Sequence, residues 1–231
     1  MIILALDTTT KGGSLAVVQD GVVLVEREGD PHVTYGQRLP AELNAVLDHA
    51  ELAIEDVDLF AVAAGPGSFT GLRVGIATVQ GLAMARGKRV VAASALEALA
   101  RAATNADRPI ATWMDAQRGE VFAALYAPDG QDALSPATAA APAAVLTAWA
   151  DPESISRAVF IGDGAIRHGE LIRQRLGEGV RLVAPPPLAG LIGQIAFGNP
   201  ARADLPHAIV PIYVRKPDAE LARARRAAHS R

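Results

Sequence analysis

The chain has 231 residues, a formal net charge of −3 and a sequence pI near 6.0, and it contains no cysteine. The missing cysteines exclude disulfides, thiolate zinc sites and cysteine nucleophiles. The acidic balance argues against binding nucleic acid by bulk charge, although a local basic patch stays open. Residues 1–7 carry no basic leader pattern and no apolar run approaches ~18 residues, so we expect a cytoplasmic protein without membrane contact.

The first three predicted strands form a meander. An apolar run from Ile2 to Leu6 indicates a buried central strand that ends at Asp7. The stretches 14–19 and 22–27 are predicted to be the second and third strands, and Asp20-Gly21 between them is a strong hairpin signal. The opening is therefore predicted to be antiparallel, with an acid at the tip of its first strand.

The most informative stretch is Ala63 to Thr78, with the sequence AAGPGSFTGLRVGIAT. It follows an apolar run at 59–63 and leads into an apolar segment that reaches Arg86 before Gly87, which predicts strand, loop and helix. Ser68 or Thr70 is expected to cap the helix. The stretch matches neither a Walker loop, nor a dinucleotide-binding loop, nor the nucleophile elbow of hydrolases.

Two glycines inside that helix, Gly71 and Gly75, call for an explanation, because each costs roughly 1 kcal/mol relative to alanine. Either the helix packs tightly on its own sheet, or it presents a small-residue face to another subunit. On the second interpretation, Gly75→Leu would leave the fold intact and abolish subunit pairing. A preceding helix over 37–52 is predicted from the spacing of its apolar residues Leu39, Leu43, Val46 and Leu47.

The opening pattern recurs in the second half of the chain. A strand over 109–114 ends in Asp115, and a turn, a strand over 120–126 and Asp129-Gly130 follow. Asp7 and Asp115 stand at nearly equal distances before their Asp-Gly pairs. This recurrence predicts an internal duplication, although coincidence between two common hairpins is the alternative.

The remaining segments are predicted with less detail. Ser94 is expected to cap a helix over 95–104 through a capping box with Glu97. The Ala/Pro-rich stretch 131–144 is predicted to be a mobile loop, and the tail from Arg215 to be a disordered basic end. Further strands are expected at 90–93, 159–161 and 180–183, further helices at 143–150, 165–176 and 188–197, and an extended segment at 209–214.

Few residues suggest chemistry. The five histidines show no i, i+4 pair, so no helical two-histidine metal site is available. Asp7 and Asp115 could hold a metal-bound nucleotide between two lobes, or merely cap turn amides. The Gly162–Gly164 turn could pass close to a nucleotide, or be a plain turn. Arg118 and Glu120 are expected to form a surface pair. The basic tail could contact RNA phosphates or be a solvated end.

Five stretches together resemble the bacterial TsaB family. They are 3–8 (ILALDT), 65–75 (GPGSFTGLRVG), 114–121 (MDAQRGEV), 162–165 (GDGA) and 211–215 (PIYVR). They occur in the family's order and span nearly the whole chain, and the second is highly specific. Gln117 departs from the second arginine expected in the third stretch, which weakens any role for that position in charge contacts.

The resemblance implies an α/β actin/Hsp70-like (ASKHA) fold of two duplicated, ribonuclease-H-like lobes. The first lobe would comprise residues 1–105, completed by a helix from 188–198. The second would comprise 106–231 with the flexible tail 215–231. The family implies a non-catalytic subunit that pairs with its paralogue TsaD, and with the ATPase TsaE, to threonylcarbamoylate the adenosine next to the anticodon in tRNA. This sequence lacks the His-x-x-x-His of TsaD.

The resemblance also implies a site: no catalytic residue, no metal, and a partner interface built from two helices. Without TsaD the same surface would form a homodimer, and tRNA would be met only through the complex. ATP or ADP is a possible ligand at the joint interface, with Asp7, Thr8, Asp115, Gly162 and Gly164 as weak candidates. The runner-up functions are an actin-like small-molecule kinase and, nearly excluded, a metallopeptidase. The interface residues are Leu39, Leu43, Val46, Leu47, Gly67, Ser68, Phe69, Thr70, Gly71, Leu72, Arg73, Gly75, Ile76 and Val79.

Overall fold

The computed structural model describes residues 1–105, 107–149 and 155–215. Its first sheet contains β1 (Ile2–Asp7), β2 (Ser14–Gln19), β3 (Val22–Glu28), β4 (Leu59–Gly65) and β5 (Val90–Ser94), in the order β3-β2-β1-β4-β5. The first three strands are antiparallel, whereas β4 and β5 run parallel to β1. The predicted meander is confirmed.

The second sheet repeats this arrangement. It contains β6 (Ile110–Asp115), β7 (Val121–Tyr126), β8 (Thr138–Ala140), β9 (Val159–Ile161) and β10 (Arg181–Val183), in the order β8-β7-β6-β9-β10. β6 pairs antiparallel with β7 and parallel with β9, as β1 does with β2 and β4. Two sheets with one strand order and one set of directions confirm the internal duplication and the ribonuclease-H-like lobes.

Helices cover both faces of the first sheet. Of these, α1 (Tyr35–His49) and α2 (Phe69–Arg86) lie on one face, where Leu4 and Leu6 of β1 point. On the other face, Ile3 and Ala5 meet α3 (Ala95–Ala102) and the later helix over 189–198. β1 is thus buried on both sides, as its continuous apolar sequence predicts.

The second lobe adds α4 (Pro142–Ala148), α5 (Asp163–Arg167) and α6 (Gly169–Leu176), and α7 (Ala189–Gly198) follows. α7 packs on β1 and β2 of the first sheet. One apolar cluster contains Ile3 and Leu96 together with Ile110, Met114 and Ile161 of the second sheet, so the two lobes share a core. This shared core sets how the ends of β1 and β6 face each other.

Several local predictions need correction. The stretch 131–144 is not an irregular loop, because it contains β8 and the first turn of α4. The helix expected up to Leu176 is two short helices that meet at His168. Ser94 accepts from the Glu97 amide, but the Glu97 carboxylate pairs with Arg202 at 3.2 Å. The arginines at 223, 225, 226 and 231 lie outside the described residues.

Candidate functional site

The central loop is built as predicted, and Ser68 rather than Thr70 caps α2. Its Oγ accepts a hydrogen bond from the Gly71 amide at 3.2 Å, and Gly87 ends the helix in the left-handed conformation. The Ser68 amide donates to the Thr9 carbonyl at 2.7 Å. The start of α2 is therefore joined to the turn after β1.

Gly71 and Gly75 face the protein's own interior. A Cβ at Gly71 would overlap the Thr8 carbonyl oxygen, and one at Gly75 would overlap the Thr8 hydroxyl. Both glycines are buried, so the interpretation of tight packing on the first sheet is correct and the small-residue subunit face is wrong. For the same reason Gly75→Leu would not leave the fold intact.

The predicted interface residues fall into two groups. The first group reaches the surface at least in part. Its exposed members are Ser68, Phe69, Thr70 and Arg73, and its half-buried members are Leu43 and Gly67. The others are buried in the core beneath α1 and α2 or against Thr8, which contradicts direct contact with a partner. These buried residues are Leu39, Val46, Leu47, Gly71, Leu72, Gly75, Ile76 and Val79.

Beside their polar and charged residues, α1 and α2 expose several small or apolar ones. We define the helical surface by the exposed residues Ala41 and Asn44 of α1 and Ala77, Gly81 and Met84 of α2. Met84 is 64% exposed, and a Cβ at Gly81 would meet no atom within 4 Å. Gly81 therefore has no packing reason within its own chain, unlike Gly71 and Gly75.

Between the lobes lies a cleft with two adjoining cavities of about 290 Å³ and 760 Å³. Asp7 lines the smaller and Asp115 the larger, while Thr10, Met114 and Asp163 line both. The predicted pair of acids thus reaches one cleft from opposite lobes. Thr8, Gly162 and Gly164 line neither cavity.

Both carboxylates already hold turns. Asp7 Oδ1 accepts from the Thr9 amide at 2.8 Å and the Thr9 hydroxyl at 2.7 Å. Asp115 accepts from the Gln117 amide at 2.9 Å and pairs with Arg167 at 2.5 Å. These contacts favour the interpretation of both residues as turn acids. Among the described residues, no group of three or more His, Asp or Glu could hold a metal ion.

Gly162 and Gly164 allow a close backbone approach in the second lobe, as Gly71 does in the first. A Cβ at Gly162 would overlap the Trp113 carbonyl, and one at Gly164 would lie 2.9 Å from the Met114 carbonyl carbon. These glycines bring α5 against the end of β6. Close packing accounts for their residue type.

Residues missed by the sequence analysis complete the cleft. The segment 209–215, called the strap here, crosses its mouth. The Ile212 amide donates to the Ala64 carbonyl at 2.7 Å, and Arg215 pairs with Glu120 at 2.8 Å. The sequence analysis did not foresee Arg215 as a partner of Glu120, and the pair of Glu120 with Arg118 stays a prediction. The PIYVR stretch indicates the family, but it does not indicate that this segment lies across the cleft. The residues it contacts, Ala64 and Glu120, are distant in sequence.

Burial raises the pKa of Asp7 above its ordinary value, an effect only partly offset by the two hydrogen bonds from Thr9. A raised folded-state pKa means that ionised Asp7 opposes folding, so its cost is absent below pH about 4 and present at neutral pH. Asp7→Asn keeps an acceptor for Thr9 and is expected to stabilise the chain at pH 7 by about 1–3 kcal/mol. Urea denaturation at pH 7 and pH 4 checks this, and an equal gain at both would contradict it.

The duplicated lobes, the shared core and the cleft at the strand ends define a two-lobed protein of the actin/Hsp70-like class. Component A of the (R)-2-hydroxyglutaryl-CoA dehydratase of Acidaminococcus fermentans has this fold, with a TM-score of 0.51 at 14% identity, over 87% of this chain and 99% of that one. At that identity the likeness speaks for the fold alone.

Closer similarities specify the family. The family model for TsaD, tRNA N6-adenosine threonylcarbamoyltransferase, matches residues 32–160, more than half of the chain. The tRNA threonylcarbamoyladenosine biosynthesis protein TsaB of Bacillus subtilis is 28% identical, over 95% of this chain and 96% of its own length. The structure of YeaZ from Pseudomonas aeruginosa has a TM-score of 0.75 at 28% identity, over 92% and 99% of the two chains. The chain belongs to the TsaB family, a branch of the proteins that the TsaD model describes.

Among the described residues, no helix combines the length and the apolar character needed to cross a membrane.

Proposed function

We propose that this chain is a non-catalytic subunit of the machinery that makes N6-threonylcarbamoyladenosine next to the anticodon of tRNA. It pairs with a TsaD-type transferase, and a TsaE-type ATPase docks on the pair. The observation that carries the proposal is the full-length likeness to a protein named for this biosynthesis. The missing His-x-x-x-His supports a subunit that leaves the chemistry to its partner.

In this proposal the partner binds the helical surface. This surface replaces the predicted set of interface residues, because most residues of that set are buried. Helices α1 and α2 lie side by side, and Ala77 and Gly81 follow each other at i, i+4 on the exposed side of α2. Small residues allow a partner helix to approach closely. An exposed glycine inside a long helix costs about 1 kcal/mol and gains nothing within this chain.

Without a transferase, the same surface pairs with its copy in an isologous homodimer. Adenine nucleotide at the joint surface of the heterodimer remains part of the proposal. The alternative of a small-molecule kinase draws no support from Asp7 and Asp115, whose oxygens hold backbone amides and Arg167.

Gly81→Ala tests the pairing surface, because it is expected to raise the stability of the isolated chain and to lower its affinity for the partner. The variant is expected to stabilise the isolated chain by about 0.5–1 kcal/mol, because alanine is the better helix former and meets open space. It is also expected to weaken pairing with the TsaD of the same organism at least tenfold, since a methyl group would hold the partner helix away. Calorimetric titration and light-scattering chromatography measure affinity and stoichiometry.

The matched control is Gly198→Ala at the end of α7, on the opposite face of the first sheet, where a Cβ would also meet open space. This variant should bind the transferase like the unmodified chain. Should Gly81→Ala bind as tightly as the control, the helical surface is not the pairing site. Should the unmodified chain bind no TsaD at all, the proposed function itself fails.

A further inference from the structure

The smaller cavity of the cleft carries a charge that the proposed pairing does not use. Its ionisable lining groups are three acids, namely Asp7 and Glu28 of the first lobe and Asp163 of the second. No Lys, Arg or His of the described residues lines it. The cavity is therefore negatively charged, and carboxylates reach it from both lobes.

Asp7 is the most deeply placed of the three acids and has an oxygen to spare. It is only 3% exposed, whereas Glu28 and Asp163 are exposed. Its Oδ1 accepts both hydrogen bonds from Thr9, and its Oδ2 accepts none from the described residues. Because the Asp7 side chain lines the cavity, Oδ2 is the oxygen available to a ligand there. A buried carboxylate oxygen without a donor is costly to keep, so a partner from outside the chain would satisfy it.

The cations near this wall of the cavity do not neutralise it. Arg38 lies behind Gly29, but its guanidinium pairs with both oxygens of Glu42 at 2.7 Å. Lys11 lines the larger cavity and not the smaller one. Glu28 forms no ion pair with any described residue. The negative charge of the cavity is therefore left for a ligand to balance.

Glu26 shows that negative charge accumulates at this edge of the first sheet. Its side chain is half-buried, and its Oε1 accepts from the Gly190 amide at 2.8 Å. Burial is the main reason that the pKa of Glu26 is raised, and the charges of Glu28 and Asp7 raise it further. The raised pKa of Asp7 also comes from burial. Both shifts agree with a cavity that has no positive charge of its own.

The rest of the lining indicates what kind of cation fits. Leu99, Met114, Leu188 and the three prolines at 185–187 give the cavity an apolar wall beside its acids. Within the described part of the chain, no group of three or more acids could hold a metal ion. An alkyl ammonium combines an apolar stem with three N–H donors, and so matches both kinds of wall. The volume of about 290 Å³ is at the lower end of the range for ligand pockets, which indicates a small ligand.

We propose that the smaller cavity binds a small linear diammonium ion of the alkyl polyamine class. One ammonium group pairs with Oδ2 of Asp7, and the other pairs with the exposed carboxylates of Glu28 and Asp163. The methylene groups between them pack against Met114 and Leu188. Because Asp7 and Asp163 belong to different lobes, the bound ion joins the two lobes. The inference goes beyond the proposed function and does not depend on it.

The test measures binding of 1,4-diaminobutane to the isolated full-length chain by calorimetric titration at neutral pH and fixed ionic strength. We expect one diamine to bind per chain. Butylamine has one ammonium group and should bind about tenfold more weakly, because it pairs with acids of only one lobe. The neutral diol of the same length should not bind, since it brings no charge to the three carboxylates.

Three variants that each remove one negative charge locate the site. Asp7→Asn keeps an acceptor for Thr9 and should lose at least about tenfold in diamine affinity, because its ion pair is the buried one. Glu28→Gln should lose only about threefold, because Glu28 is exposed. The matched control is Asp48→Asn, an exposed residue of α1 that lines neither cavity, and it should bind like the unmodified chain.

Thermal melting adds a readout that a purely structural role of Asp7 would not change. Saturating diamine should raise the melting temperature of the unmodified chain by about 5 °C and leave that of Asp7→Asn unchanged. Asp7→Asn is expected to be the more stable chain without ligand. The difference in melting temperature between the two chains should therefore shrink when diamine is added.

Absence of diamine binding by the full-length chain overturns the inference. Equal losses in Asp7→Asn and Asp48→Asn would do the same, because they would reduce binding to net charge. Tighter binding of magnesium chloride or ADP than of the diamine would also contradict it, since the cavity would then select a metal or a phosphate. None of these results affects the Gly81→Ala test of TsaD pairing, so the two proposals fail separately.

Discussion

Gly71→Ala is expected to destabilise the chain by about 3 kcal/mol. Its new methyl group would overlap the backbone carbonyl oxygen of Thr8, at the end of the central strand of the first sheet. Thr8 directly follows β1, and its backbone carbonyl cannot move aside as a flexible side chain can, so α2 itself must shift. Alanine's better helix propensity, about 1 kcal/mol, offsets only part of this cost.

Gly75→Ala supplies the matched comparison, because its methyl group would overlap the Thr8 side chain instead. We expect a loss of about 2 kcal/mol in the unmodified chain. In a Thr8→Ala background the obstructing hydroxyl and methyl groups are gone, and the cost should fall below about 0.5 kcal/mol. The cost of Gly71→Ala should stay the same in that background, since the backbone carbonyl is still present.

Urea denaturation of the single and double variants measures all of these free energies. Thr8→Ala is itself expected to be mild, because the buried Thr8 hydroxyl has no hydrogen-bond partner within the described part of the chain. Rescue of both glycine variants by Thr8→Ala, or of neither, would show that the contacts assigned to α2 are incorrect.

Arg38→Met is expected to lower the free energy of unfolding by about 3 kcal/mol. The Arg38 side chain is only 7% exposed and pairs with both oxygens of Glu42 at 2.7 Å. It also donates to the carbonyls of Lys11 and Gly12, so α1 holds the turn that lines both cavities. Removing Arg38 leaves the partly buried Glu42 charge without its partner and the carbonyls of Val33, Lys11 and Gly12 without their donor.

Gly29 provides a control for this prediction, because a Cβ there would overlap the Arg38 guanidinium. Gly29→Ala should therefore cost about 2 kcal/mol in the unmodified chain, by displacing a guanidinium that five acceptor oxygens hold. In the Arg38→Met background it should cost less than about 0.5 kcal/mol. Additive effects in this double-mutant cycle, measured by chemical denaturation, would mean that the guanidinium does not occupy the space beside Gly29.

The sequence was sufficient for the fold because the signals that carry it are local. The runs at Ile2–Leu6 and Pro109–Met114, each closed by an acid, revealed the duplication. Gly87 was correctly predicted to end α2, and Ser68 was one of the two residues predicted to cap it. Hydrophobic periodicity also identified the apolar residues of α1 and α2 that are covered by a neighbouring surface. It could not say that they are buried in this chain's own core, because an apolar stripe looks the same whether a sheet or a partner covers it.

The parts that could not be predicted depend on contacts between distant segments. Gly71 and Gly75 are small because of Thr8, over sixty residues earlier, and Glu120 pairs with Arg215 from the far end of the chain. β8 was missed because three residues of Thr and Ala carry almost no strand signal by themselves. It forms because the edge of β7 is available to pair with it.

The strap also changes the mechanics of the molecule. Covalent connections near residues 103–109 and 184–188 would by themselves define a hinge line, about which two rigid bodies can rotate. The strap adds a third point of attachment away from that line, through Ile212 on β4 and Arg215 on Glu120. The shared core and the strap therefore act together on the width of the cleft, and wider opening would require that these two contacts break as well.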